Sequence, residues 1–316
     1  MPTVTVIIPT YNSAATIAEA LISVKRQTFR DYEIIVADDC STDNTMSVLE
    51  SVEITHRTIA RNKNGGPAAA RNDAVRAADG EWLAFLDADD VWFPNRLKMQ
   101  MELTVMYPDA AGFCGTVIGF DESVPLNQDF FERANASSEG IISAPAVKIL
   151  SLDEFVYRNP VATSTVIVRK DACESVGGFD ESFCGPEDYE LWMRLAAKYS
   201  IISIDMPLAG YRERVGSLSM DDRKFLPQVL RVIEKAFGDE GVFGNRKYLR
   251  DTAISNQLWN ASWMAFSRGT RTTALVLLIR SYLLNLHAVQ RTERKWRRQL
   301  CRYLFGRTRG ISKIET

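Results

Sequence analysis

The feature that most constrains this chain is an apolar run that ends abruptly in acids, Gly80-Glu81-Trp82-Leu83-Ala84-Phe85-Leu86-Asp87-Ala88-Asp89-Asp90. Five apolar residues in succession, bounded by a glycine before and carboxylates after, read as a strand buried on both faces. The acids therefore stand at a strand's C-terminal edge, where open α/β sheets bind their ligands. In an extended segment, residues two apart point to the same side, about 6.6 Å along the chain, so Asp87 and Asp89 can serve one target. Carboxylate oxygens so placed suit Mg2+ or Mn2+, which take one or two protein carboxylates and leave their other positions to phosphates. The same acids also suit a solvated turn and helix cap ahead of Pro94. Other segments must decide between these readings.

Upstream, Val4 to Ile8 is continuous and β-branched, as in a central parallel strand, and Pro9-Thr10-Tyr11-Asn12 stops it before a helix over Ala14–Gln27. That turn has no glycine, so the GxGxxG phosphate loop of a dinucleotide-binding fold is missing. It offers instead a hydroxyl, an aromatic face and an amide that suit a base or ribose, or simply an ordinary strand-to-helix turn. Tyr32 to Ala37 is a second strand ending in Asp38-Asp39, with Ser41-Thr42-Asp43 capping a helix over Thr45–Ser51. Two acid pairs at one edge repel unless a cation or hydrogen-bond donors lie between them. A third strand is predicted over His56–Arg61. Asn64-Gly65-Gly66-Pro67 then opens a helix in which Arg71 opposes the macrodipole unless it pairs with an anion. Strand and helix thus alternate up to Asp87, which implies a parallel sheet with helices on both faces.

Downstream, the pattern predicts a helix over Trp92–Tyr107, a strand over Ala111–Phe120, long loops over Asp121–Ala146, and a strand over Thr163–Arg169. A short helix over Asp171–Val176 closes at Gly177-Gly178. Pro186 opens a helix whose first acids, Glu187 and Asp188, cap its positive end or, set among Phe179, Phe183, Tyr189 and Trp192, act as a general base of raised pKa. After a strand over Ile201–Ile204, Tyr211-Arg212-Glu213-Arg214 presents two guanidinium groups suited to phosphate oxygens. Beyond Met220 the period turns helical, over Phe225–Phe237, Tyr248–Ser267, Thr270–Leu286 and Arg291–Phe305.

Composition enters where partners are concerned. With 316 residues and 46% hydrophobic content, the chain can bury a sizeable core with an appendage. A net charge of -2 argues against a dedicated nucleic-acid partner. From Arg280 onward, however, ten basic residues face two acidic ones, about +8 there and about -10 upstream. The last of those helices combines cationic and apolar faces, as interfacial membrane helices do and as solvated terminal helices also do. Five cysteines without a CxxC pair suggest neither a disulfide framework nor zinc. With no secretory leader and no spanning run legible, a cytoplasmic location is expected, with peripheral contact at the inner face of the membrane.

Val6-Ile7-Ile8-Pro9-Thr10-Tyr11-Asn12, Val36-Ala37-Asp38-Asp39-Cys40-Ser41-Thr42-Asp43, Ala70-Arg71-Asn72, Phe85 to Asp90, Gly177-Gly178-Phe179-Asp180 and Glu187-Asp188 stand in an order and spacing that resembles family 2 glycosyltransferases. The resemblance spans Val4 to about Ser219. It implies a GT-A fold: a mixed, mainly parallel nucleotide-binding sheet flanked by helices over residues 1–220, here followed by a helical region over 221–316. It further implies inverting transfer from a nucleotide-diphosphate sugar, most often UDP-linked, with Mn2+ or Mg2+, to a saccharide or lipid-linked acceptor. Carried over by position, Pro9, Thr10 and Tyr11 line the nucleotide pocket, Asp38 and Asp39 lie at the base, and Arg71 holds the nucleotide. Asp87 faces ribose and metal, Asp89 ligates the metal, Asp188 is the base and Glu187 shapes the acceptor site. Arg212 and Arg214 face the diphosphate. Relatives often carry a metal-binding histidine where this chain has Arg214, so metal dependence is expected to be weaker. The rival readings are a sugar-phosphate nucleotidyltransferase, whose glycine-rich phosphate loop is missing, and an inactive sugar-nucleotide or membrane-surface binding module.

Overall fold

Val4, Val6, Ile7 and Ile8 are wholly buried, and each such side chain contributes about 1.5–3 kcal/mol on leaving water. This segment forms the centre of the sheet. The computed structural model describes residues 1–126, 130–131, 146–214 and 221–284. They fall into two compact units, Met1–Phe155 with Asn159–Ser217, and Val156–Arg158 with Leu218–Thr316.

In chain order the first unit carries β1 (Val4–Thr10), α1 (Ile17–Lys25), β2 (Tyr32–Asp38), α2 (Thr45–Ser51), β3 (Arg57–Ala60), α3 (Gly66–Ala77) and β4 (Trp82–Phe85). It continues with β5 (Val91–Trp92), α4 (Arg96–Met106), β6 (Ala110–Phe120), β7 (Val147–Ile149), α5 (Glu154–Tyr157, whose last two residues are grouped with the second unit), β8 (Ile167–Arg169), α6 (Lys170–Ser175), α7 (Glu187–Lys198) and β9 (Ser200–Arg212). The sheet order is β3-β2-β1-β4-β8-β6-β9-β5, with β7 also on β9. Strands β1 to β4 run parallel, and β8 enters antiparallel to both β4 and β6. The mainly parallel sheet that the alternation predicts is present.

Register brings the functional segments to one edge. Thr10 pairs with Asp38, and β4 makes its last pair with β1 at Ile7. Pro9, two residues further on the same side, therefore lacks an N–H only where β4 has already ended. Gly80 enters β4 so close to β1 that a Cβ would lie 2.5 Å from Thr5 N, which explains the glycine before the apolar run.

Three elements differ from expectation. Val91-Trp92 pairs with Gly210 and Ala209 as a short strand, and the helix starts only at Arg96, beyond Pro94. The strand expected over Thr163–Arg169 opens as a 3-10 turn over Thr163–Thr165, with Thr165 N donating to Ala162 O at 2.8 Å. The strand expected over Ile201–Ile204 runs on to Arg212, because β6 offers it a parallel partner as far as Phe120.

The second unit carries α8 (Asp222–Phe237), α9 (Arg250–Ser267) and α10 (Arg271–Leu284). Asp221 caps α8 by accepting from Arg223 N. Leu258, Ala261, Ala265, Ala274 and Leu277 form the core between α9 and α10, joined by Gly269 at φ +83°. Trp263 and Phe266 stack within this unit, with ring centroids 6.1 Å apart. The basic helix expected over Arg291–Phe305, and most of the loops over Asp121–Ala146, lie outside the described residues. No helix among the described residues is long and apolar enough to cross a membrane.

Candidate active site

The acids after β2 are held by donors from nearby in the chain. Asp38 accepts from Ser41 N at 3.0 Å and Ser41 Oγ at 2.5 Å. Asp39 accepts from Gly65 N at 2.9 Å and Gly66 N at 2.7 Å, at the start of α3, and pairs with Arg61. Gly66 needs its φ of +85° to turn its amide onto that carboxylate. This pair is thus satisfied by donors of the chain itself, and a base contact at Asp39 must share oxygens already serving three donors. Beside them, Thr10 is buried and its Oγ1 has no hydrogen-bond partner. Such an orphaned hydroxyl costs about 1–3 kcal/mol unless a ligand satisfies it. The Tyr11 ring next to it is half exposed.

Arg71 is 4% exposed and joins two distant segments. Its Nη2 donates to Asp87 Oδ1 and its Nη1 to Glu187 Oε1, both at 2.7 Å, and its guanidinium lies 5.3 Å from the Phe179 ring centre. The anion that the helix dipole argument requires is therefore two carboxylates, one from each side of the site. Burial opposes the charge, but Asp87 and Glu187 outweigh it and raise the Arg71 pKa above its ordinary value. Glu187 Oε2 takes a further bond from Gly185 N at 2.7 Å, where φ is +110°.

Asp188 is held by different chemistry. Its Oδ2 accepts from Thr163 Oγ1 at 2.8 Å and Asn159 Nδ2 at 3.2 Å, and its Oδ1 from Tyr189 N at 2.6 Å. All are neutral donors. Burial, reinforced by Glu187, pushes its carboxyl up to about 6 against the pull of Thr163, Arg71 and the Tyr189 amide.

On the other side, Asp90 is 2% exposed and serves as an anchor. It accepts from Ser164 Oγ at 2.5 Å and Arg212 N at 2.9 Å, while Asp87 N donates to the same Ser164 Oγ at 3.1 Å. Burial, with Asp87 and Asp89 beside it, holds its carboxyl well above the usual range. Asp89 is more open, with Arg214 Nε 3.7 Å from its Oδ2, and Arg214 also donates to Thr16 Oγ1 at 3.0 Å. Arg212 is spent on Glu19 and the Asp89 carbonyl, over the Phe120 ring. Among the described residues no cluster of three or more His, Cys, Asp and Glu side chains converges on a metal position. The hard oxygens of Asp87 and Asp89 fit a divalent cation that completes its shell with phosphate.

The structure thus brings Asp87, Arg71, Glu187 and Asp188 together, with Asp89 and Arg214 paired next along the edge, and gives Asp38, Asp39 and Arg212 structural partners of their own. The sequence reading missed Thr163, Ser164, Asn159 and Arg61, and did not separate Asp90 from its neighbours. The only local signal was three hydroxyl residues in succession at what looked like the start of a strand.

Residues 5–143 match the family model described as Glycosyl transferase family 2. The chain is 29% identical over 224 residues to UDP-Glc:alpha-D-GlcNAc-diphosphoundecaprenol beta-1,3-glucosyltransferase WfgD of Escherichia coli, covering 70% of this chain and 81% of that protein. It is 32% identical over 232 residues to succinoglycan biosynthesis protein ExoO of Rhizobium meliloti, covering 69% and 63%. Among solved structures, the mannosyltransferase PcManGT from Pyrobaculum calidifontis in complex with GDP-Man and Mn2+ superposes with a TM-score of 0.60 at 20% identity, over 96% of this chain and 85% of that one. S. aureus TarS 1-349 in complex with UDP-GlcNAc gives 0.58 at 20% identity, over 96% and 81%. At that identity the structural likeness is one of fold. The chain has the GT-A fold and is a glycosyltransferase, and residues 5–143 carry its glycosyl transferase family 2 match.

Proposed function

We propose that this enzyme transfers a sugar, with inversion, from a UDP-sugar to a hydroxyl of a saccharide or lipid-linked acceptor in the synthesis of a cell-surface polysaccharide. The observation that carries the reading is the buried Arg71, which ties the donor-side carboxylate Asp87 to the acid pair Glu187-Asp188. The relative WfgD is named for a UDP-glucose donor and a diphosphoundecaprenol acceptor, which favours UDP over other nucleotides and a lipid-linked acceptor over a free sugar.

In this reading Thr10 and Tyr11 line the nucleotide pocket beside Pro9, and the unsatisfied Thr10 hydroxyl receives a polar atom of the nucleotide. Asp188 takes the proton of the acceptor hydroxyl as that oxygen bonds to the anomeric carbon and the bond from that carbon to the diphosphate oxygen breaks. A carboxyl near pH 6 is ionised at neutral pH yet basic enough to share that proton. The nucleoside diphosphate leaves with the electron pair. Arg214, a third exposed and only loosely paired, is the guanidinium best placed to neutralise it. Mn2+ or Mg2+, held by Asp87 and Asp89, would supply electrostatic stabilisation of the leaving group.

Peripheral contact with an anionic membrane rests on the basic residues after Arg280 and on Val276, Ile279 and Leu283, which project from one face of α10 into solvent. Melting curves with UDP-glucose and Mn2+ test the donor, since a ligand of the folded state raises the melting temperature. A rise with GDP-mannose and none with UDP-glucose would overturn the choice of nucleotide.

A further inference from the structure

Both sides of this site are mounted on a single turn. Residues 163–165 form one 3-10 turn, and with three residues per turn successive side chains leave the axis about 120° apart. Three hydroxyls in a row therefore point in three directions. Thr163 Oγ1 donates to Asp188 at 2.8 Å. Ser164 Oγ donates to Asp90 at 2.5 Å and accepts from Asp87 N at 3.1 Å. Thr165 Oγ1 turns inward to Gly115 O at 3.1 Å on β6.

The turn is fastened to the core from behind. Ser164 O accepts from Trp92 Nε1 at 2.9 Å, Thr165 O from Gln100 Nε2 at 2.8 Å, and Val166 O from Arg96 Nη2 at 2.9 Å. Trp92, Arg96 and Gln100 are all wholly buried, so the three carbonyls are pinned by side chains that have no room to move. A mount of this kind holds a reacting group to the sub-ångström tolerance that catalysis requires.

We propose that this turn is a positioning element of the transferase: Thr163, with Asn159, aims the Asp188 carboxylate, and Ser164 sets the Asp87–Asp90 loop, so that base and donor keep one fixed separation. The proposal rests on Asp188 being the base. The charged groups facing Asp188 are Glu187 on its own helix and Arg71 from α3, whose other end is engaged by Asp87. Against this background the neutral donors Thr163 and Asn159 steady the ionised form without adding a second cation, which would suppress its basicity.

The test titrates the Asp188 carboxyl by carbon-13 NMR in the full-length chain, with its signal assigned by its loss in Asp188→Asn. In Thr163→Val the midpoint should rise by about one pH unit, because a hydrogen bond that favours the charged form is gone. Thr163→Ser should restore the midpoint. Ser164→Ala should leave it in place while weakening the Kd for UDP with Mn2+ several-fold. If Thr163→Val does not fold, Asn159→Ala tests the same oxygen and should shift the midpoint in the same direction by less. A midpoint unmoved in both variants, or UDP affinity unmoved in Ser164→Ala, overturns the proposal. Transfer activity retained in Asp188→Asn would instead overturn the assignment of the base, whatever the turn does.

Discussion

Asp38-Asp39 and Glu187-Asp188, two pairs of adjacent acids in the first unit, are used in opposite ways. Asp38-Asp39 is satisfied by donors no more than 27 positions away: a serine, two glycine amides and Arg61. Glu187-Asp188 takes one amide each from close by but adds side-chain partners 25 to 116 positions distant, and its members diverge. Glu187 is neutralised by a buried guanidinium, whereas Asp188 meets neutral donors and is left with a raised pKa. Within this second pair the donors separate two neighbours: a guanidinium fastens Glu187, while burial among neutral donors leaves Asp188 the more basic.

The largest expected effect that would break this comparison is on Asp188. Asp188→Asn should cut transfer by about 10²- to 10⁴-fold while calorimetry still detects UDP with Mn2+; ordinary turnover would make the two pairs equivalent. The pH dependence follows from the same residue. Its folded-state pKa of about 6 lies above the ordinary 3.8, so its contribution to stability is complete below about pH 3.8 and is lost as pH rises through about 6. Asp188→Asn should therefore melt no lower than the wild type at pH 8. The wild-type kcat/KM profile should fall on the acid side with a midpoint near 6, and a limb below pH 5 would contradict the raised carboxyl.

Next in size, Arg71→Met strands Asp87 and Glu187 and should cost about 3–5 kcal/mol in urea unfolding. Asp39→Ala removes a helix-start anchor and should cost about 1–2 kcal/mol. Equal losses would mean that the near and far pairs are fastened alike. The smallest effect is on the rim, where Tyr11→Ala should raise the donor KM no more than about tenfold, the equivalent of about 1.4 kcal/mol of aromatic contact.

Much of the fold was legible because it is local. The β-branched run at Val4, the apolar run before Asp87 and the turns between them specify strands by side-chain period and burial alone. The need of Arg71 for an anion could be read from its place in α3, because the helix dipole acts within one turn. The identity of that anion could not, since Glu187 lies 116 positions away. Trp92 read as the start of a helix because its strand partner, Ala209, is far away in the chain, and the 3-10 turn read as strand because β-branched threonines favour strand. Asp90 looked like its neighbours until Ser164 and the Arg212 amide closed over it.

The amino-acid sequence by itself determined the alternating strands and helices, the edge at which the acids emerge, and the family to which the motifs belong. The strands, helices and edge follow from propensity and periodicity, which act over a few residues, and the family from the resemblance of the motifs. Only the tertiary structure decided which carboxylate is tied down and which is left basic. That choice depends on burial and on donors brought from the far end of the chain, and the electrostatics of a carboxyl are set by what surrounds it in space.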